Sequence, residues 1–411
     1  MSSPGFEAVL LGEACSLITD GSHFSPTPRE EGYPIVNAKD IPKGRVELDT
    51  CTRISEREYR LLKIQNCPPL PGDVLLSKDG TIGRVVHYKE DLGVVLPSSV
   101  AILRPKTIVT PAFLAHALRS HIFDRQLFRL QSGSALKRLV LGDIRKIRVP
   151  VPKLEIQDGI AEILSTVDKA IEQTESLIAK YQQIKAGLMQ DLFTRGVTPD
   201  GHLRPTHAHA LHLYKESPFG WIPKAWSAEL LDRLSLRGSG HTPNKNQPDF
   251  WNGGIKWVSL ADSWRLDRLY ISETDKEISQ LGIENSSAVL HPPGIVVLSR
   301  DAGVGKSAIT TCSMAVSQHF MCWRCGPQLD NHYLYYWLQY RKREFENIAT
   351  GSTIPTIGLR FFRYYRINVP TDVEEQKQIG LALLSVDHTI FSLEADVGKL
   401  HQKNKASCTI S

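Results

Sequence analysis

The 411-residue chain carries 49 Lys and Arg against 44 Asp and Glu, a formal charge of +5, with 41% hydrophobic residues. That length suits two ordinary domains, and the mild basic bias permits a nucleic-acid partner without requiring one. No apolar run approaches the roughly 18 residues of a membrane helix, which excludes a spanning segment and leaves no membrane partner to expect.

The first twenty residues include Glu7, Glu13 and Asp20 and lack a basic start followed by an apolar core, so they do not read as a secretory signal. Cysteines at 15, 51, 67, 312, 322, 325 and 408 show no disulfide-framework spacing. A reducing, cytoplasmic setting is expected. Further along, "NCPPL" (Asn66–Leu70) superficially resembles the Asn-Pro-Pro-aromatic loop of amino-methyltransferases, but Cys67 separates Asn66 from the prolines and Leu70 replaces the aromatic. Pro68, Pro69 and Pro71 read instead as a stiff lead into a strand.

"PGDVLLSKDGTIGRV" (Pro71–Val85) then reads as strand, glycine turn, strand, with a polar tip from Ser77 to Arg84. "GSALKRLVLGDIRKIRVPVP" (Gly133–Pro152) leads into a helical stretch with apolar residues on a 4-3 spacing: Ile160, Leu164, Val167, Ile171, Thr174, Ile178, Tyr181, Lys185, Leu188 and Leu192. Only Thr174 and Lys185 break the seam, so a coiled-coil helix of about 54 Å is expected from near Ile156 to Leu192. After it, "GVTPDGHLRPTHAHALHLYKESPFG" has the composition of a solvated linker, with His207, His209 and His212 in it.

Beyond the linker the chain repeats itself. Gly351–Pro370 lies over Gly133–Pro152 at an offset of 218, and Gln376, Ile379, Leu383, Val386, Asp387 and Ile390 repeat Gln157, Ile160, Leu164, Val167, Asp168 and Ile171 at 219. Pro293–Ser307 matches Pro71–Val85 at 222, and the stretch at Ile255 matches loosely that at Tyr33. The second helical seam, Ile379, Leu383, Val386, Ile390, Leu393, Val397 and Leu400, fails at Asn404 and Ser407. Its last turns are expected to be frayed or missing. The protein is therefore two copies of one unit, each a globular part followed by a helix.

The repeat bears on "VVLSRDAGVGKSAITT" (Val296–Thr311), whose Gly305-Lys306-Ser307 suggests a phosphate-binding loop. That loop needs a glycine where Arg300 stands and a helix from the lysine, while "SAITTCSMAVSQ" reads as strand. A hairpin like that of the first copy is the expectation. The single Cys322-Trp-Arg-Cys325 lacks a second ligand pair for zinc, and no glycine-rich cofactor turn opens a helix. "LRFFRYYRI" (Leu359–Ile367) reads as a half-buried strand, and Trp251, Trp257 and Trp264 as core.

Two similar helical stripes most economically bury each other, antiparallel; the alternative is that each packs on its own globular part. Two related modules a set distance apart suit duplex DNA, whose equivalent faces recur about every 34 to 36 Å. With these features the chain resembles, over essentially its whole length, the specificity subunit of a type I restriction-modification system. "IRVPVPKLEIQDGIAEILSTVDKAIE" and "YRINVPTDVEEQKQIGLALLSVDHTI" resemble the family's helix starts, "KAGLMQDLFTRG" the end of its central helix, "SPFGWIPKAW" the lead into its second domain, and "LSKDGTIG" its recognition turn.

The resemblance implies an α+β fold with two globular target-recognition domains, each a twisted mainly-β sheet plus helices, and two long helices forming an antiparallel coiled coil about a pseudo-two-fold repeat. The expected boundaries are 1–152 and 221–370 for the recognition domains, 153–196 and 371–411 for the spacer helices, and 197–220 for the linker. It implies a non-catalytic subunit that binds double-stranded DNA at a split site, holds two methyltransferase subunits and, through them, restriction subunits. S-adenosylmethionine, ATP and Mg would belong to those partners, with no cofactor or metal in this chain. Two departures stand out: the chain begins almost at the first domain, and "LHQKNKASCTIS" replaces the end of the first helix, a truncation that would weaken one methyltransferase site.

Base edges and phosphates are reached by polar and cationic side chains on loops. In the first domain the candidates are Ser77, Lys78, Asp79, Thr81 and Arg84; Asn37, Lys39, Lys43 and Arg45; and Ser22 and His23. Their second-domain counterparts are Arg300, Asp301 and Lys306; Ser259, Asp262 and Arg265; and His241, Thr242 and Asn244. Ser134, Lys137, Arg138 and Ser352, beside Gly133 and Gly351, are candidates for backbone phosphates. Two other readings stand beside this one: a nucleotide-binding enzyme using Gly305-Lys306-Ser307, and a coiled-coil scaffold that reads no DNA.

Overall fold

The computed structural model of the chain describes residues 6–42, 44–65, 68–131, 138–350 and 355–407. They form two compact units, Met1–Ser176 with Leu393–Ser411, and Leu177–Ser392. Both long helices, α1 (Leu154–Thr194) and α2 (Val373–Ser407), contribute to both units.

The first unit is built on a four-stranded antiparallel sheet of β1 (Cys15–Asp20), β2 (Val74–Ser77), β3 (Val85–His87) and β4 (Val100–Pro105), in the order β1-β4-β2-β3. Strands β2 and β4 are apolar in nearly every position because both faces are covered. On one face Val74, Leu76 and Leu103 meet Phe113, Leu114 and Ile144 and the helix residue Ala161; on the other Leu75, Val86 and Ile102 meet Val36, Ile41 and Tyr88. A separate ribbon pairs Glu7–Leu10 with Arg148–Val151, closing the globular part where α1 begins.

The second unit repeats this plan. Its sheet runs β5 (Ser235–Ser239), β6 (Tyr270–Ile271), β7 (Val296–Ser299), β8 (Ser307–Thr310) and β9 (Phe320–Cys325), in the order β5-β9-β7-β8-β6. The first four strands of that order copy β1-β4-β2-β3, and Trp226–Leu230 pairs with Arg366–Pro370 as the closing ribbon does in the first unit. Its core is more aromatic, with Trp226, Trp323, Tyr333, Tyr336 and Trp337 buried together with Met189, Leu192 and Phe193 of α1 and Ile379 and Leu383 of α2.

The recurring glutamine is a fastener. In the first unit Gln157, fully buried, accepts the Thr110 amide (2.8 Å) and donates to the carbonyls of Ile108 (2.9 Å) and Pro152 (2.8 Å). In the second, Gln376 accepts the Asp330 amide (2.9 Å) and donates to the carbonyls of Gln328 (3.0 Å) and Pro370 (2.9 Å). Asp168 and Asp387 recur for a related reason. Asp168 receives Arg119 (2.9 Å), and Asp387 receives both Tyr336 (2.8 Å) and Lys185 of α1 (2.6 Å). Lys185 breaks the apolar seam because it neutralises a buried carboxylate on the facing helix.

Every other expected seam position of α1 and α2 is buried or half-buried. Within the second unit the C-terminal end of α1 lies against the start of α2, so the helices pack on each other and on the globular part at once. Three expectations change. Helix α2 continues through Ser407, beyond the failure of its seam, since Lys, Gln and Ala all have high helix propensity. Leu359–Arg363 is a helical turn and only Arg366–Pro370 is strand, because Phe362 and Tyr365 reach the core from a helical spacing. The His-rich segment is not a loose tether: Arg204 pairs bidentately with the buried Glu375 (2.5 and 2.8 Å), which also accepts the Val197 amide and the Trp226 indole. Its four histidines, His202, His207, His209 and His212, are exposed, as its composition suggests.

Candidate nucleic-acid interface

In both units the hairpin that follows the Pro-Gly turn, β2–β3 in the first and β7–β8 in the second, carries a glycine-rich tip. The backbone closes identically: Ser77 N donates to Arg84 O and Gly83 N to Ser77 O, while Ser299 N donates to Lys306 O and Gly305 N to Ser299 O. Gly83 (φ 91°) and Gly305 (φ 85°) occupy left-handed positions that a side chain would strain. Each tip is stitched to the segment just after the Gly-Ser stretch. Asp79 bridges Arg138 and Leu139 N donates to Lys78 O; Asp301 bridges Thr356 and Ile357 N donates to Arg300 O.

Residues read from sequence as reaching DNA divide into two sets. Those that build the loops are buried or half-buried. Ser77 donates to Thr81 O (2.5 Å) and accepts the Arg84 amide (2.8 Å). Lys78, only 2% exposed, is held by Asp20 (3.1 Å) and Asp79 (3.4 Å). Asn37 caps the helical turn Ala38–Asp40 and Ser259 caps Leu260–Asp262, with Asp40 and Asp262 returning bonds to the cap amides. Asp301 receives His319 (2.7 Å), and Arg300 donates to the carbonyls of Gln318 and Ile357. Thr242 donates to Gln318 (2.7 Å), and Ser22 accepts the Phe24 amide. Asp20, Gln318 and His319, which complete these networks, carry no sequence signal of their own.

Thr81, Lys39, His23, Arg138, His241 and Asn244 are exposed. Arg84 is half-buried and donates to the carbonyls of Ala38 (3.2 Å) and Lys39 (3.1 Å), drawing the first hairpin tip to the neighbouring loop. Lys306 makes the equivalent link by donating to Ser263 O (3.1 Å). Arg45 is exposed and pairs with Glu47 and Glu172. Arg265 lies 3.4 Å from Asp262. Lys43, Ser134, Lys137 and Ser352 lie outside the described residues, as do Asn66 and Cys67. Close backbone approaches fix where the first loops leave the sheets: a Cβ on Gly21 would meet Leu96 O at 1.9 Å, and one on Gly240 would meet Val316 O at 1.6 Å.

The geometry removes the phosphate-loop reading. Ser307–Thr310 is a strand, so no helix N-terminus faces an anion at Lys306, whose amine is already engaged. Cys322 and Cys325 also lie on a strand, and burial pushes both thiols up to about 12. Among the described residues no group of three or more His, Cys, Asp or Glu is arranged to hold a metal, and no helix is long and apolar enough to cross a membrane.

The type I restriction modification DNA specificity domain matches this chain twice, over residues 9–183 and 229–399. The chain belongs to this family. Each match takes in one globular half and most of the helix that follows. The MjaVIII type I restriction enzyme specificity subunit of Methanocaldococcus jannaschii is 24% identical over 333 residues, covering 77% of this chain and 73% of its own. The MjaIX subunit of the same organism is 26% identical over 179 residues, 43% of this chain and 41% of its own. The crystal structure of a type I restriction-modification system S subunit from M. genitalium shares the fold, with a TM-score of 0.60 at 13% identity over 98% of this chain and 95% of that one.

Proposed function

We infer that this chain is the DNA sequence-specificity subunit of a type I restriction-modification complex, itself non-catalytic. Its two recognition domains each read one half of a bipartite, asymmetric site, and the paired helices set the nonspecific gap between the halves. The observation that carries this reading is the double match of the specificity domain onto two structural copies that share one sheet order and one hairpin tip. Two such copies in one chain suit a ligand with two reading positions, as duplex DNA provides.

The exposed residues of the tips and neighbouring loops, His23, Lys39, Arg45, Thr81 and Arg138 in the first domain and His241 and Asn244 in the second, touch DNA, joined by the half-buried Arg265 and Lys306. Lys43, Ser134, Lys137 and Ser352 join them on the ground of sequence, the Gly-Ser stretches as candidates for backbone phosphates. Ser22, Asn37, Ser77, Lys78, Asp79, Arg84, Thr242, Ser259, Asp262, Arg300 and Asp301 hold the reading loops in shape.

Two methyltransferase subunits dock on the helices and carry restriction subunits; S-adenosylmethionine, ATP and Mg are theirs, and the complex acts in the cytoplasm. An exposed apolar line on α1 supports this docking: Ile156, Ile163, Leu177 and Ile184 stand seven or fourteen residues apart and are 39% to 63% exposed, a spacing that a partner helix covers. Sequencing methylated positions in host DNA before and after deletion of this chain tests the reading. Loss of one split motif is expected, together with co-purification of a methyltransferase. An unchanged methylation pattern would leave the scaffold reading in its place.

A further inference from the structure

Trp264 departs from its surroundings. It is 62% exposed, although an indole is large enough that burying it would be strongly favourable. The Arg265 guanidinium sits over the ring at 4.3 Å from its centroid. Ser263, the preceding residue, accepts Lys306 of the second hairpin tip (3.1 Å). The residue that carries the indole therefore follows directly on a backbone contact to the tip, and Arg268, four residues on, is exposed.

The segment presenting it is held rigidly. Asp267 (φ 66°) and Leu269 (φ 61°) adopt left-handed backbone that non-glycine residues avoid, and bulky side chains most of all. Several contacts maintain that conformation: Asp267 accepts Gln339 (2.6 Å), Lys342 (2.5 Å) and the Ser307 amide (3.1 Å), and Leu269 N donates to Tyr335 (3.2 Å). A strained, over-determined loop that carries an exposed aromatic and a stacked cation is preorganised to receive a flat, electron-rich partner. In the first copy the position 222 residues earlier is Pro42, which offers no such surface.

We propose that Trp264 is a specificity-determining contact of the second recognition domain, stacking its indole on the π-face of a base in the second half-site while Arg265 covers the ring and faces the backbone. The inference rests on the DNA-reading function above. The two half-sites are then read by different means, the second through stacking as well as hydrogen bonding.

The test uses the complex of this chain with its methyltransferase subunits and duplexes bearing the split motif methylated in the host. 2-Aminopurine is placed in turn at each position of the second half. Wild type is expected to change the probe's fluorescence at one position; Trp264→Ala should abolish that change and weaken binding roughly tenfold or more, while Trp264→Phe keeps most of both. Melting curves of both variants should match wild type, because the residue is exposed. Equal affinity and an unchanged probe signal in Trp264→Ala would overturn the proposal, as would loss in both variants with unaltered melting. Failure of wild type itself to prefer the motif over scrambled duplex would instead remove the DNA-reading function.

Discussion

Gln157 and Gln376 show how much one recurring side chain can mean. Each has three hydrogen bonds in a dry setting, so replacement by Ala leaves buried amide and carbonyl groups without partners, at about 1–3 kcal/mol for each group left unsatisfied. Either Ala variant is expected to lower the unfolding free energy by about 3 kcal/mol or more, at least about 1 for each of the three groups, read as a lower denaturant midpoint by circular dichroism. The glutamines were visible in the sequence as repeats, but their partners were not, because backbone groups leave no mark in residue type. His116 is a second case. Burial, with Arg119 beside it, pushes its pKa down to about 4; Ser165 bonds its ring at 3.0 Å, Asp168 lies 3.8 Å away, and His87 and Lys89 add positive charge nearby. The unfolded chain binds this proton near pH 6.5, before the folded one does, so stability falls as pH drops from about 6.5 toward 4. Melting temperatures measured across that window should fall more steeply for wild type than for His116→Gln.

At the level of elements, what could be read from the chain followed from periodicity. The seam of each long helix stood out because a 3.5-residue repeat persists over many turns, and the hairpins because glycine turns sit between apolar runs. Leu359–Ile367 reads as strand because its aromatic pairs have a strand's composition, while Phe362 and Tyr365, three apart, suit a helical turn equally well. Trp264 was assigned to the core on residue type, and only the path of its loop reveals it as exposed. About half of the candidate contacts are tied into the loops that carry them, since a polar residue in a tight turn satisfies backbone groups as readily as it meets a ligand. Lys185 and Asp387 give a prediction at this scale. Lys185→Ala strands a carboxylate that is 5% exposed and should destabilise by about 3 kcal/mol. Combining it with Asp387→Leu should recover much of that loss, a non-additivity that a double-mutant cycle measures.

For the whole molecule, the helices carry the mechanical claim. Inserting one heptad into each of α1 and α2 adds about 10.5 Å of helix, close to three base pairs at roughly 3.4 Å each. Host DNA sequenced for methylation should then show both half-motifs unchanged and their gap about three base pairs longer. An unaltered gap would mean that the helices do not set it. The doubling itself was legible without a structure, because the helix starts share Gln, Ile, Leu, Val, Asp and Ile at a constant offset of 219 while the globular halves differ widely.

That unequal divergence has a cause in how each glutamine is seated. Every atom it grips is main chain: an amide and two carbonyls, supplied by Thr110, Ile108 and Pro152 in one copy and by Asp330, Gln328 and Pro370 in the other. A plug that grips only the peptide framework is indifferent to the side chains hung on it. The side chains of the two globular halves can thus diverge from one copy to the other, while the joint beneath them stays the same and needs no matching revision.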